Sequence, residues 1–463
     1  MSFLKRFQTS LESLYPLAEN ANYVIAYSGG VDSHVLLHCC SKLDLPVRAV
    51  HVHHGLQSAA DDWVVHCQAI CDALNIQLDI VYVDAGKKPG QSPEEAARCA
   101  RYQALQMNLQ QADCLLTAQH LNDQAETLLL QLFRTAGSAG LASMPSSKRL
   151  GHHMHLRPLL TFSRQEIVDY ATENALHWME DPSNQDVQFD RNFIRKNLLP
   201  LLESRWPEIT QQLSTVAGLQ SDNLQVLEDI AAIDLANAIR LPVYPAEICS
   251  YDVVSVLSIS PLEQLSSARL LNVLRHWVKQ FTKMQSASSL LSKSSPTRNL
   301  LVEIEKTLIN SQQDANPVIV FSGFEYRRYQ NDLYLLKLKS PESGKKDLDW
   351  NPSQAIILPA CNSRIKAVER SGEGLKNFLR HENLMITFRQ GGEQFHPAVR
   401  RHSQSLKKLF QEANIPPWER ENIPLLYWGD ELIAVIGLWV SRQYAVAENE
   451  TGWIIEIDDV ICL

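Results

Sequence analysis

The chain has 463 residues, of which 45% are hydrophobic and 21% charged, and its net charge at pH 7 is −9. This length favours roughly two to four domains, each with a substantial core. No apolar run is long enough for a membrane span, and no signal peptide is predicted at the N-terminus. The nine cysteines are scattered and form no Cys-x-x-Cys pair, which indicates a reducing, cytoplasmic compartment. The acidic balance argues against a nucleic-acid partner unless a basic patch occurs locally.

A strand, a glycine turn and a helix start follow one another near the N-terminus. Residues 23–26 form an apolar, β-rich run, and the turn Ser28-Gly29-Gly30-Val31-Asp32-Ser33 follows it. Glycines let backbone N–H groups approach a ligand, and a helix N-terminus favours an anion. Ser28 and Ser33 can donate to phosphate oxygens, whereas Asp32 would repel a phosphate unless a cation lay between them. The turn therefore predicts a pyrophosphate site with Mg²⁺ on Asp32. The alternative is an ordinary turn in which Asp32 and Ser33 cap the helix.

Three further strands are predicted, at residues 47–52, 77–83 and 114–118, with helices between them. The alternation predicts a Rossmann-like open parallel sheet flanked by helices. His53 follows the second strand, at the sheet edge where α/β proteins bind ligands. A nucleotide contact is therefore favoured for His53 over a metal site shared with His54, because adjacent strand residues face opposite sides. Cys67 and Cys71 are predicted to be buried core thiols.

Two predicted helices carry the remaining candidates of the N-terminal region. Glu95, Arg98 and Tyr102 share a helical spacing on the helix that starts at residues 92–93, with Arg101 beside them. The alternative for this helix is a solvated salt-bridge face. His120, Asp123 and Glu126 line the first turn after the fourth strand. Asp123 is predicted to share Mg²⁺ with Asp32 or to orient an attacking group, with helix capping as the alternative. The catalytic candidates are Asp32, Arg98, His120 and Asp123.

The segments that follow predict a loop, a cap and a phosphate contact. Residues 137–141 are predicted to form a flexible loop near the site. Ser163 and Glu166 have the spacing of a capping box that opens a helix. Arg191 and Arg195 lie on one helix end and suit phosphate or carboxylate contact.

The rest of the chain divides into a predicted middle domain and a C-terminal domain. Helices are expected over about 209–235 and 266–281, then a hairpin over 324–337 and a linker over 339–351. The five Lys or Arg residues against one Glu between residues 386 and 410 contrast with the acidic whole, which favours contact with a phosphate backbone. The predicted domains are residues 1–215, a mainly helical 216–345 and a small α+β 346–463. The candidate RNA-binding residues are Arg191, Arg195, Arg327, Arg328, Arg400, Arg401, Lys407 and Lys408.

Taken in order, these motifs resemble those of a known family. The turn at 28–33 is similar to the phosphate loop of the N-type ATP pyrophosphatases. Together with the motifs at 51–56, 95–102, 117–127, 137–144, 157–160, 178–184 and 190–195, it resembles the tRNA(Ile)-lysidine synthetases, in their longer bacterial form. One departure is Asn122, where the family usually has Asp. That substitution leaves Asp123 as the better carboxylate candidate.

The resemblance implies ATP-dependent ligation of free L-lysine to C2 of the wobble cytidine in isoleucine tRNA with a CAU anticodon. The cytidine would be adenylated first, and AMP, pyrophosphate and lysidine would be the products. ATP and Mg²⁺ are the implied cofactors, and Glu95 and Glu126 are candidates to hold or deprotonate the lysine. The oligomeric state is open, with a homodimer as one alternative.

Three other functions remain alternatives. A tRNA thiolase of the same superfamily would need a persulfide cysteine or a cysteine-held cluster, and no Cys-x-x-Cys lies near the site. A small-molecule amide ligase would have no need of the basic C-terminal segment. A non-catalytic RNA-binding adaptor is disfavoured by the intact phosphate loop.

Overall fold

The computed structural model describes residues 1–15, 21–53, 60–83, 93–180, 186–242, 253–285, 296–310, 316–338, 346–358 and 363–459. The chain divides into two compact units. The first comprises residues 1–229 and 280–293, and the second comprises residues 230–279 and 294–463. The division into three domains at residues 215 and 345 stays a prediction. None of the helices in the described ranges combines the length and apolarity needed to cross a bilayer.

The first unit is built on a six-stranded sheet with the order β3-β2-β1-β4-β6-β5. Strands β1 to β4 and β6 are parallel to their neighbours, and only β5 runs antiparallel, as a hairpin with β6. This confirms the predicted open parallel sheet, because the crossover helices return each strand to the same direction. The strands are β1 Tyr23–Ala26, β2 Val47–His53, β3 Leu78–Tyr82, β4 Cys114–Leu116, β5 Ser147–Leu150 and β6 His153–Leu156.

Helices cover the sheet and enclose its largest core. That core joins β1 to α1, α2, α3 and α7 and includes the buried thiols of Cys67 and Cys71, as predicted. The helices are α1 Phe3–Leu14, α2 Val31–Lys42, α3 Ala60–Ala73, α4 Pro93–Met107, α5 Leu121–Phe133, α6 Ser138–Leu141, α7 Arg164–Glu173, α8 Asp190–Phe193 and α9 Leu199–Arg205, with a π-helical turn at Ile194–Leu198.

The structure corrects the prediction of a flexible loop at residues 137–141. They were expected to be a loop, but Ser138–Leu141 forms a helical turn, α6, with Gly137 as its N-cap. The turn closes because the N–H groups of Gly140 and Leu141 both donate to the carbonyl of Gly137.

The helical middle region also carries an antiparallel sheet. The long helix α10 runs over Ile209–Ala238 and α12 over Ser267–Gln285, close to the predicted ranges. The predicted hairpin is confirmed as β10 and β11, which pair from Phe324↔Lys337 to Tyr329↔Asp332. The order of the sheet is β7-β8-β11-β10-β9. Its elements are β7 Ile239–Arg240, β8 Val253–Ser258, α11 Ile259–Glu263, α13 Arg298–Ile304, a π-helical turn Glu305–Ile309, β9 Val318–Phe321, β10 Phe324–Tyr329 and β11 Asp332–Lys337.

In the part of the C-terminal region that the structure describes, there are two larger antiparallel sheets and two short helices, which agrees with the α+β prediction. The sheets have the orders β12-β16-β19-β20-β21 and β13-β14-β22-β15. The elements are β12 Leu348–Trp350, β13 Ile356–Leu358, β14 Ser363–Ser371, β15 Leu375–Lys376, a 3₁₀ turn Asn377–His381, β16 Leu384–Phe388, β17 Gln394–Phe395, β18 Gln404–Ser405, α14 Leu406–Glu412, α15 Pro417–Arg420, β19 Pro424–Trp428, β20 Glu431–Val435, β21 Trp439–Val440 and β22 Thr451–Asp459.

The C-terminal boundary predicted for the linker is wrong. Strand β12 lies inside the predicted linker of residues 339–351 and pairs antiparallel with β16. Trp350 explains the difference, because its indole is almost fully buried against Trp453 in the core of these sheets. Residues 339–345 lie outside the described ranges.

Candidate active site

The glycine turn after β1 is held closed by its own serine hydroxyls. The Ser33 hydroxyl donates to the Gly30 carbonyl at 3.0 Å, and the Ser28 N–H donates to Ser33 Oγ at 3.2 Å. Gly30 is the N-cap of α2, so the free N–H groups of the helix face the turn. Gly29 has a φ of +80°, and a Cβ there would lie 2.7 Å from Trp63 Nε1 and 2.9 Å from Cys67 Sγ. Both the backbone conformation and the packing of α3 therefore require glycine.

Two carboxylates face one imidazole next to this turn. His120 is the N-cap of α5 and is 1% exposed. Its Nε2 lies 3.8 Å from Asp32 Oδ1 and 3.5 Å from Asp123 Oδ2. Three of the predicted catalytic residues thus meet, because the carboxyl ends of β1 and β4 are neighbours in the sheet. Burial raises the pKa of Asp32, although His120 and Arg164 oppose the shift.

Asp123 and Glu126 are bound by a pair of arginines. Arg191 Nη2 and Arg195 Nη2 each donate to Asp123 Oδ1 at 3.1 Å. Glu126 is fully buried and accepts from Arg191 Nε at 2.7 Å and from Arg195 Nε at 2.6 Å. Burial alone would raise the pKa of Asp123, but the charges of His120, Arg191 and Arg195 lower it overall. Both predicted RNA-binding arginines of this region therefore contact carboxylates, and their contact with RNA stays a prediction.

Asn122 has a structural partner of its own. Its Oδ1 accepts from the Arg164 N–H at 3.0 Å and so ties the start of α5 to the start of α7. The Arg164 side chain lies over the site, with Nη1 3.5 Å from Asp32 Oδ2. The predicted capping box holds α7 in place, because Ser163 Oγ accepts from the Glu166 N–H at 3.2 Å and Glu166 Oε2 accepts from the Ser163 N–H at 2.8 Å. Sequence reasoning did not assign Arg164 to the site.

The other predicted residues of the first unit lie on neighbouring elements. His53 ends β2, with its ring 4.9 Å from that of Tyr82. The guanidinium groups of Arg98 and Arg101 lie 5.2 and 5.7 Å from the ring of Tyr102 on α4. The side chain of Glu95 lies outside the described side chains. The catalytic role of Arg98 stays a prediction.

Sequence reasoning missed a chain of hydrogen bonds that joins Arg157, His155 and Thr117. Arg157 Nη2 donates to His155 Nδ1 at 3.3 Å, and His155 Nε2 lies 2.7 Å from Thr117 Oγ1, which in turn donates to Gln119. Because an arginine can only donate, His155 carries its proton on Nε2 and donates it to Thr117. Burial and the charges of Arg157, Lys148 and Arg98 lower the pKa of His155 to about 2, which keeps it neutral. This series of hydrogen bonds ends at Gln119, the residue before His120.

The RNA-binding candidates of the second unit differ in exposure. Lys407 and Lys408 are exposed on α14, and Arg401 is exposed just before it. Arg400 pairs with Glu412. The remaining two belong to the folded interior of the hairpin region. Arg327 pairs with Glu325 at 2.7 Å and lies 5.5 Å from the ring of Trp418, and Arg328 is 9% exposed and donates to the carbonyls of Leu308 and Ile309.

The residues present fit a divalent cation at Asp32. Its Oδ1 is buried and has no hydrogen-bond partner, and carboxylate oxygens are the protein ligands Mg²⁺ prefers. Asp123 fits less well, because Oδ1 accepts from two arginines and Oδ2 accepts from the His120 N–H at 3.1 Å. The sharing of Mg²⁺ by Asp123 stays a prediction.

Fold and site together define a PP-loop protein, and comparisons with known proteins agree. The PP-loop domain family matches residues 3–202, the TilS substrate binding domain matches 257–334, and the TilS substrate C-terminal domain matches 384–457. PP-loop domains bind ATP.

Relatives match nearly the whole chain. The tRNA(Ile)-lysidine synthase of Coxiella burnetii is 38% identical, covering 96% of this chain and 95% of that protein. Those of Serratia proteamaculans and Methylococcus capsulatus are 37% and 36% identical, over 96% and 95% of this chain and 98% and 97% of theirs. The chain belongs to the tRNA(Ile)-lysidine synthase family.

Proposed function

We propose that this chain ligates free L-lysine to C2 of the wobble cytidine of isoleucine tRNA with a CAU anticodon, at the expense of ATP. The observation that carries the proposal is the meeting of the serine-glycine turn, Asp32, His120 and Asp123 at one sheet edge. Family membership supplies the tRNA and the reaction class. The proposed products are lysidine, AMP and pyrophosphate.

The turn at residues 28–33 would bind the ATP phosphates. Its backbone N–H groups and the start of α2 offer positive charge to the pyrophosphate. The hydroxyls of Ser28 and Ser33, 3.1 Å apart, can turn from each other to phosphate oxygens. Because the turn is already folded around Gly29, this charge is in place before pyrophosphate departs. His53, at the end of β2, would contact the nucleotide.

Asp32 would hold Mg²⁺ on the phosphates. A bound divalent cation neutralises phosphate charge and polarises the bond that breaks. Arg164 at 3.5 Å and His120 at 3.8 Å limit where the Asp32 carboxylate can turn. The carboxylate therefore stays between Arg164 and His120, at the start of α2.

The chemistry has two steps on the cytidine. In the first step, the C2 carbonyl oxygen attacks the α-phosphorus of ATP and releases pyrophosphate. This step prepares C2 for substitution, because an oxygen bound to AMP leaves more readily than the bare oxygen. The neutral ε-amine of lysine then attacks C2, and AMP leaves with that oxygen. The amine must first lose a proton, for which a nearby carboxylate serves as base.

Glu95, Asp123 and Glu126 are the proposed partners of the lysine. Asp123 borders the site through His120. Both oxygens of Glu126 accept hydrogen bonds from arginines, so Glu126 would act on lysine by orienting Asp123 through the shared pair. The wobble cytidine must leave the stack of its neighbours to reach this edge. The proposal includes RNA contacts by the exposed Arg401, Lys407 and Lys408, and sedimentation of the free protein would test a homodimer.

The decisive experiment measures AMP formation by the purified protein. The assay contains ATP, Mg²⁺, L-lysine and an unmodified CAU-anticodon isoleucine tRNA, and the base is mapped by mass afterwards. We expect AMP only when tRNA is present, with the mass of lysine added at the wobble cytidine. AMP without tRNA would indicate a small-molecule ligase, and sulfur at the base would indicate a thiolase. No AMP under any condition would favour an adaptor and refute the proposal.

A matched pair of variants tests the role of Asp32. Asp32→Asn removes the negative charge at the turn, and we expect AMP formation to fall at least 100-fold, with little change in tRNA affinity. Asp44→Asn is the control, because Asp44 is exposed and its φ of +52° is one that asparagine accepts. Equal activity of the two variants would contradict the assignment.

A further inference from the structure

A group of cations surrounds Tyr102 near the carboxyl edge of the sheet. Arg98 and Arg101 lie 5.2 and 5.7 Å from its ring, and the ring of His155 lies 5.6 Å away. Arg157 joins the group through its hydrogen bonds to Tyr102 and His155, and its charge and that of Lys148 help to lower the pKa of Tyr102. These residues come from α4 and from the β5-β6 hairpin and its exit. We call Arg98, Arg101 and Arg157, with Tyr102, the arginine cluster.

The arginine cluster has no counter-ion in the described part of the chain. Arg157 is 4% exposed, and its Nε is buried without a hydrogen-bond partner. Its guanidinium donates to the carbonyl of Pro145 at 2.6 Å and to the neutral His155, and it also hydrogen-bonds the Tyr102 side chain. Buried charges are ordinarily paired. Burial lowers the pKa of Arg101 and of Arg157, and the charge of Arg98 adds to both shifts, whereas Tyr102 opposes them.

The cluster borders the candidate active site. The charge of Arg191 contributes to the lowered pKa of Arg101, and Arg191 binds Asp123 and Glu126. Arg157 also connects to residue 119 through His155 and Thr117. The cluster extends from buried Arg157 to exposed Arg98. An anion held there would reach from the surface toward His120.

The charge pattern selects one kind of anion. The α-carboxylate of free lysine has an α-ammonium on the next atom, which several cations would repel. The triphosphate of ATP belongs at the glycine turn on α2. A phosphodiester of RNA carries one negative charge with no cation beside it, and arginine forks match its oxygens.

We propose that the arginine cluster binds a backbone phosphate of the substrate tRNA next to the nucleotide that enters the active site. This inference rests on the proposed function, whose RNA contacts it extends to residues 101 and 157. Tyr102 would support the phosphate site by holding Arg98 and Arg101 against its ring. The cluster would then position the cytidine relative to the phosphate loop.

The test measures tRNA binding by the full-length protein at several salt concentrations without ATP. The variants are Arg101→Met, which keeps the apolar stem, and Arg101→Lys, which keeps the charge. Arg149→Met is the control, because Arg149 is exposed on β5 outside the cluster. For Arg101→Met we expect Kd to rise about tenfold and the slope of log K against log salt to fall by about 1. Arg101→Lys should retain the salt slope, and Arg149→Met should match the native protein.

Arg157→Met extends the test, with circular dichroism and urea unfolding to verify folding. If it folds, we expect weaker tRNA binding without a rise in the KM for lysine. Unchanged tRNA affinity in Arg101→Met would overturn the inference. So would a raised KM for lysine at saturating tRNA with an unchanged Kd, which would assign the cluster to the lysine carboxylate. A native protein that binds tRNA but forms no AMP would refute the proposed function alone, because this binding assay needs no catalysis.

Discussion

Gly29 shows most directly how a single residue shapes the site. Its positive φ and the absence of a Cβ let α3 approach the glycine turn after β1, with Trp63 and Cys67 against the backbone. Any side chain would have to displace these two residues or the turn itself. The β1-α2 connection therefore depends on a contact from α3, which α2 and β2 separate from it along the chain.

We expect Gly29→Ala to lower the free energy of unfolding by about 1–3 kcal/mol and to abolish pyrophosphate release. Urea unfolding and a pyrophosphate assay measure the two effects. Gly218→Ala is the control, because Gly218 lies in α10 with open space around it. Alanine favours helix there by roughly 1 kcal/mol, so this variant should be as stable as the native protein or more so. A functional Gly29→Ala protein would contradict the assignment of the turn.

Glu126 gives the second prediction at this scale. Among the described residues, Glu126→Gln would leave Asp123 as the one carboxylate that accepts hydrogen bonds from both Arg191 and Arg195. Because removing one partner of a buried ion pair leaves charge uncompensated, we expect a loss of about 3 kcal/mol in unfolding free energy, measured by urea unfolding. Asp190→Asn is the matched control, since its pair with Arg134 is 4.0 Å long and exposed and should contribute less than about 1 kcal/mol. Similar losses in both variants would show that the arginine pair does not depend on Glu126.

At the scale of elements, short local signals specified the ends of helices well. Ser163 and Glu166 formed the capping box that their spacing predicts. Local signals failed where a distant contact decided the outcome. Residues 348–350 became a strand because Trp350 found a partner in Trp453, about 100 positions away.

The capping box supports a prediction for α7. Ser163→Ala removes the acceptor of the Glu166 N–H, and we expect a loss of about 1 kcal/mol in unfolding free energy. Thr9→Ala is the control, because the exposed hydroxyl of Thr9 only returns to a carbonyl of its own helix. Its effect should stay within about 0.5 kcal/mol. Since α7 also carries Arg164, weaker ATP binding should accompany the loss in Ser163→Ala, and unchanged stability would contradict the role of the cap.

At the scale of the whole molecule, buried neutral histidines make stability depend on pH. Burial lowers the pKa of His34 to about 4, and burial with neighbouring cations lowers that of His155 to about 2. Their stabilising effect is complete above the unfolded value of about 6.5. This stabilisation is lost as the pH falls below that value, because the histidines of the unfolded chain then bind protons while the two buried histidines of the folded chain stay neutral. Each of the two histidines changes the free energy of unfolding by up to about 1.4 kcal/mol per pH unit.

We expect the urea midpoint to fall between pH 7 and pH 5, and His155→Gln to make this fall shallower. The exposed His152 supplies the control His152→Gln, which should keep the native pH dependence. Urea unfolding at pH 7, 6 and 5 measures all three proteins. A pH dependence of His155→Gln equal to that of the native protein would show that His155 is not excluded from protonation.

Local sequence patterns correctly predicted the parallel sheet, the strand, turn and helix around Gly29, the hairpin of residues 324–337 and the α+β character of the C-terminal region. These features depend on neighbouring residues, such as apolar runs, glycines and caps, and local physical chemistry acts on them directly. Asp32, His120 and Asp123 could be grouped because parallel strands end at a common edge.

The charges that meet in this site could not be predicted, because packing between distant elements brings them together. Arg191 and Arg195 could be recognised as anion-binding residues, but their pairing with Asp123 and Glu126 depends on how α8 and the turn after it fold against α5. Likewise, no local pattern predicts that Arg157 is buried or that His155 connects it to Thr117. Electrostatic interactions act through space, at distances set by packing between elements far apart in the chain. For that reason, the ionic partners in this site follow from the fold and not from the order of residues.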